Sequence, residues 1–140
     1  MITSLKQMEL YKYLESIRQE PYVLGKHDCL TFTNKAWEIL YDRGWATDAL
    51  GKYLTKSGKL KTVKTLQKEL NIVTYCDLVD ARLDRHEYMP DFGMLVGVEP
   101  DDTAVFNVAL GICVGTTVAV VGNEGLIYVP VQDAKICWVN

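Results

Sequence analysis

The stretch Glu20-Pro21-Tyr22-Val23-Leu24-Gly25-Lys26-His27-Asp28-Cys29-Leu30-Thr31-Phe32 decides how this chain is read. Pro21 stops a preceding helix, Gly25 can turn the chain, and Asp28 is a residue type favoured at helix N-caps, where its carboxylate accepts the unpaired N–H groups of the first turn. From Cys29 onward Phe32, Ala36, Trp37 and Leu40 recur at helical spacing. The stretch therefore predicts a helix from about Asp28 to Tyr41, ended by Asp42-Arg43-Gly44 with Gly44 as a left-handed C-terminal cap. Cys29 then falls in the first turn. Unpaired N–H groups and the positive end of the helix dipole favour a thiolate there, making Cys29 a candidate nucleophile that still needs a base.

Upstream, Leu5, Met8, Leu10, Tyr11, Leu14 and Ile17 keep a roughly 3.6-residue rhythm, which predicts an amphipathic helix over residues 4–19. Downstream, turn formers and aromatics fill residues 45–58, and helices are expected from about Leu60 to Leu70 and from Thr74 to Leu83. The character then changes. Met94 to Val98, Ala104 to Val114, Thr117 to Val121, Leu126 to Val131 and Lys135 to Val139 are β-rich runs. They are separated by Glu99-Pro100-Asp101-Asp102, Gly115-Thr116, Gly122-Asn123-Glu124-Gly125 and the segment from Pro130 to Asp133. Helices followed by strands imply an α+β fold, a helical part over about 1–85 packed on a meandering antiparallel sheet over about 93–139. At 140 residues the chain is sized for one domain.

A formal net charge of -3 argues against general nucleic-acid binding, which needs a basic surplus. No apolar run is long enough to cross a bilayer, and the N-terminus has no signal-peptide block, so synthesis in a cytoplasm without membrane insertion is expected. Cys29, Cys76, Cys113 and Cys137 are widely spaced, which predicts reduced thiols, with the last three as small buried hydrophobes. No metal or cofactor is expected: adjacent His27, Asp28 and Cys29 fit no common zinc spacing. Lys52, Lys56, Lys59, Lys61, Lys64 and Lys68 form the one marked basic cluster, either a solvated face or a surface for an acidic partner. Trp37 and Trp138 are expected in the core. Trp45, Tyr53 and Tyr88 are candidates for exposed docking aromatics.

The order of an Asp-Cys helix start followed by a small antiparallel sheet resembles the NlpC-type papain-like peptidases that cut bacterial cell-wall peptides. Glu20-Pro21-Tyr22-Val23, Leu24-Gly25-Lys26-His27-Asp28-Cys29, Ala109-Leu110-Gly111-Ile112, Gly122-Asn123-Glu124-Gly125-Leu126 and Trp138-Val139, spanning residues 20–139, resemble an uncharacterised phage and prophage family related to NlpC. In active members a histidine of the second sheet strand, in a His-Val-Gly-Ile arrangement, serves as base. The position matching it here is Ala109, and the next strand offers only Ala119, Val120 and Val121. His27 and His86 are the remaining imidazoles: His27 is expected at the surface or as a cap, and His86, in the polar connection Asp84-Arg85-His86-Glu87-Tyr88, at the surface. His27 is a weak candidate base.

The resemblance implies a degenerate papain-like domain serving as a structural or assembly component of a phage virion. Tail or connector proteins would be its partners, and it could form a homo-oligomeric ring. The alternative is an active cysteine hydrolase or amidase acting on peptidoglycan stem peptides, with Cys29 as nucleophile. A small host-takeover or immunity protein sharing the fold is the third reading.

Overall fold

The computed structural model describes residues 2–99 and 108–140. Four α-helices lead into a six-stranded antiparallel sheet. The helices are α1 (Ser4–Ser16), α2 (Cys29–Tyr41), α3 (Val63–Leu70) and α4 (Tyr75–Asp80); the strands are β1 (Asp84–His86), β2 (Leu95–Val98), β3 (Ala109–Cys113), β4 (Thr117–Gly122), β5 (Gly125–Pro130) and β6 (Ala134–Val139). The α+β class expected from sequence is the class observed. Of the run expected from Ala104, residues 104–107 lie outside the described residues, as does the turn beyond Glu99.

The strand order is β1-β6-β2-β3-β4-β5. β2 to β5 form the expected meander, but β6 leaves it and inserts between β2 and β1. β1 is a strand where sequence pointed to a polar connection. Only Val131–Asp133 separate the end of β5 from the start of β6, although the two strands stand four places apart, roughly 19 Å in a flat sheet. So short a link requires the sheet to curl, and the face turned from the helices is its concave side. Both edges resist further pairing: β1 is short and charged, while at β5 Leu126 donates its N–H to Arg18 (3.0 Å) and Pro130 has none to give.

Alternation along each strand divides the core in two. Toward the helices point Leu95, Leu110, Ile112, Ala119, Val121 and Trp138, which pack with Leu10, Leu14, Phe32, Trp37 and Leu40 of α1 and α2. Toward the concave side point Val96, Val98, Cys113, Val118, Val120 and Cys137, joined by Ala109 and Val131. Trp37 and Trp138 are fully buried, as expected. α1 ends at Ser16, short of residue 19, and buries the narrow stripe Leu10 and Leu14, continued by Ile17 at its C-cap; Leu5, Met8 and Tyr11 of the expected apolar rhythm are half or more exposed. α3 and α4 are shorter than expected, each beginning just after a threonine, Thr62 and Thr74. No helix among the described residues is long and apolar enough to cross a membrane.

Candidate functional site at the start of helix α2

After α1 the chain runs along the β4–β5 hairpin, where Tyr22 donates its N–H to the Gly122 carbonyl at 3.1 Å. It then reverses. Val23 and His27 exchange backbone hydrogen bonds of 2.9 and 2.7 Å around Gly25, whose φ of 80° is a left-handed value that glycine reaches without a steric penalty. A Cβ there would also meet Leu54 Cδ1 at 2.6 Å. The reversal delivers Asp28, 2% exposed, as the N-cap of α2. Its Oδ1 accepts the Thr31 N–H at 2.9 Å while Thr31 Oγ1 accepts the Asp28 N–H at 2.8 Å, a reciprocal capping box.

The second carboxylate oxygen is also occupied. Oδ2 accepts the Gly25 N–H at 2.7 Å and the Tyr53 hydroxyl at 2.5 Å. Burial, and then the hydrogen bond to the Asp28 carboxylate, push the Tyr53 phenol far above its usual range, so Tyr53 remains a donor. Asp28 is therefore a buried carboxylate committed to donors from Thr31, Gly25 and Tyr53. Further along, Trp45 Nε1 donates to Thr33 Oγ1 at 3.1 Å and Thr33 in turn to the Cys29 carbonyl at 2.6 Å; Asn34 Oδ1 accepts the Ala46 N–H at 2.8 Å. Polar side chains on the buried side of α2 thus fasten the loop of residues 45–53.

Cys29 is half-buried in the first turn, as sequence placed it; Cys76, Cys113 and Cys137 are buried. Burial pushes the Cys113 and Cys137 thiols up, and their Sγ atoms lie 3.4–3.8 Å from the carbonyls of His86, Tyr88, Pro90 and Gly115. His27 is not at the surface: it is 5% exposed, packs edge-on to Phe32 with ring centroids 6.3 Å apart, and its Nε2 is buried without a hydrogen-bond partner among the described residues. The reason is the tight Val23–His27 turn, which folds the imidazole inward. His86 is part of β1. It stands opposite Cys137, and directly paired residues share a face, so its side chain belongs to the concave side. Its strand is three places from β3, roughly 14 Å along the sheet.

Ala109 also turns to the concave side; the β3 residues facing α2 are Leu110 and Ile112. Trp45, expected as an exposed aromatic, is 5% exposed and tied to Thr33, and Tyr53 is held by Asp28; Tyr88 is 78% exposed. Asp42, with φ 63°, takes the left-handed cap expected of Gly44. A Cβ at Gly44 would collide with the side chains of Asn34 and Thr47, so the lack of a side chain serves packing there. Lys52, Lys56, Lys59, Lys64 and Lys68 are exposed, whereas Lys61 is half-buried with Nζ 2.5 Å from Glu69 Oε2. No metal-holding group of His, Cys, Asp and Glu occurs among the described residues. Sequence missed the Tyr53–Asp28 contact, and nothing in the chain between these two residues, 25 positions apart, carries a signal for it.

A family model described as a domain of unknown function (DUF6950) matches residues 5–139. No curated protein matches the chain.

Proposed function

The chain belongs to the DUF6950 family, and we propose that it is a non-hydrolytic assembly component of a phage virion, built on an NlpC-like papain frame. The observation that carries this reading is the set of side chains that the sheet turns toward α2. The sheet side chains turned to α2 are Leu110, Ile112, Ala119 and Val121, which accept no proton. The carboxylate next to Cys29 is already committed to Thr31, Gly25 and Tyr53. A general base has to reach the group it deprotonates, and a carboxylate fully engaged as a helix cap is poorly placed to do so. The frame of the site thus serves to hold α2 and the 45–53 loop rigidly, as suits a docking module. Tail or connector proteins are the partners this reading names.

One observation favours the hydrolase reading: the unengaged, buried Nε2 of His27 two residues before Cys29. Iodoacetamide labelling across pH separates the two. Under the assembly reading Cys29 alone labels in the folded protein, with the pH profile of a small-molecule thiol, and Cys29→Ser abolishes labelling. An inflection well below that of a small thiol, or loss of it in His27→Gln, would establish an activated nucleophile. Copurification of the chain with tail or connector proteins is expected from infected cells; a chain recovered only as the uncomplexed protein would refute the virion role.

A further inference from the structure

The charge of this chain is divided unevenly. Within residues 51–70 six lysines stand against the single Glu69, a formal charge of +5; with -3 for the whole chain, the remainder carries -8. Of the six lysines only Lys61 has a carboxylate partner among the described residues. On α3 Leu66 marks the buried side, and Lys64 and Lys68, one turn apart, project from the opposite side. Beside them lie Val63, 41% exposed, and Val73, 75% exposed, the latter brought to the helix by the 2.8 Å bond from Gln67 Nε2 to the Val73 carbonyl. This is an apolar strip edged by ammonium groups.

Its complement stands elsewhere. After β1 the chain forms the knuckle Glu87-Tyr88-Met89-Pro90-Asp91, whose carbonyls at Tyr88 and Pro90 lie against the thiols of Cys137 and Cys113 and so cap the concave face. Tyr88 is 78% exposed and Met89 57%, the two most exposed large apolar side chains on this part of the surface. Glu87 and Asp91, both exposed, flank them without an ion-pair partner among the described residues. An exposed aromatic framed by carboxylates has the composition of an interface anchor with a charged rim.

We propose that the Tyr88 knuckle of one copy docks on the Val63–Lys64–Lys68 face of α3 in the next, giving head-to-tail self-association. The lysine stretch is tied to the helix side through Tyr53 and Asp28, whereas the knuckle caps the concave side. Two different patches make a heterologous contact, which closes into a ring or continues as a filament according to the rotation between copies. The inference deepens the assembly reading by naming one partner as a second copy of this chain. It rests on that reading only for its place in the virion, because purified protein tests it and Cys29 labelling tests the other.

Sedimentation velocity of the full chain in about 0.05 M and about 0.5 M salt reads the association, since exposed charge pairs are screened over that range. Wild type is expected to associate at low salt and to weaken roughly tenfold or more at high salt. Lys64→Glu with Lys68→Glu, and separately Glu87→Lys with Asp91→Lys, are each expected to be monomeric while unfolding thermally like wild type. Mixing the two at equal concentration should restore association, because each keeps the surface the other has lost. Wild type that stays monomeric at every salt and concentration, reversed variants that associate as wild type does, or a mixture that stays monomeric would each overturn the proposal.

Discussion

The two faces of the sheet are closed by different means. On the helix side, Trp37, Phe32 and Leu40 of one long helix and Leu10 and Leu14 of another pack against Leu110, Ile112 and Trp138. The concave side holds small residues, valines and the thiols of Cys113 and Cys137, and is covered by the chain's own curl and the knuckle from His86 to Pro90. Side-chain size decides the difference, since a curling sheet leaves room at the centre of its inner face chiefly for Val, Ala and Cys, while its outer face meets a helix and takes tryptophan. The helix side should therefore carry more stability per residue. Trp37→Ala is expected to cost about 3–5 kcal/mol and Val96→Ala about 1–2.5 kcal/mol in denaturant unfolding, by the size of the group removed. Equal costs would mean that the concave side is packed as consequentially as the helix side.

Next in size is the start of α2. Asp28→Ala removes a helix cap and strands the Tyr53 hydroxyl and the Gly25 N–H, for a loss of about 2–3 kcal/mol. Tyr53→Phe removes one donor from a carboxylate that keeps those of Thr31 and Gly25 and should cost about 0.5–1.5 kcal/mol. A Tyr53→Phe loss as large as that of Asp28→Ala would make the loop anchor, rather than the cap, the stabilising element of this region.

Much of this arrangement is legible in the chain. Asp28 and the Phe32, Ala36, Trp37, Leu40 spacing give α2 and its cap, because both signals are local. The meander from β2 to β5 is legible in its turns, above all the Gly122 to Gly125 hairpin. What escapes is set by distant partners. β1 is three residues with two charges, and it is a strand only because β6 lies beside it. The place of β6 depends on how far the sheet curls, a property of all six strands together. At the site, Cys29 is readable from helix-start rules. The inward turn of His27 and the grip of Tyr53 on Asp28 depend on a loop whose path no local pattern dictates.

The smallest expected effect lies where β1 and β6 meet the helices. Asp80 accepts hydrogen bonds from Arg85 Nε and Nη2 at 2.8 and 2.7 Å and from Trp138 Nε1 at 2.8 Å. The Arg85 guanidinium, and with it the indole N–H, holds its carboxyl below the usual range despite opposing desolvation. A carboxyl lowered in the folded state contributes stability that is present above its unfolded value, about 3.9, and is lost as pH falls through the folded one. Asp80→Asn keeps an acceptor for Trp138 and loses the ion pair, so at neutral pH it should cost less than about 1 kcal/mol, because the pair with Arg85 is largely exposed. Below about pH 4 the difference from wild type should shrink as the wild-type carboxyl is protonated. The acid limb then becomes shallower without vanishing, because Asp48, held by Arg82, and Asp77, held by the N–H groups of Thr74 and Val73, are lowered as well. Thermal unfolding across that range measures the slope, and an unchanged slope would show that the Arg85 contact leaves no imprint on folding.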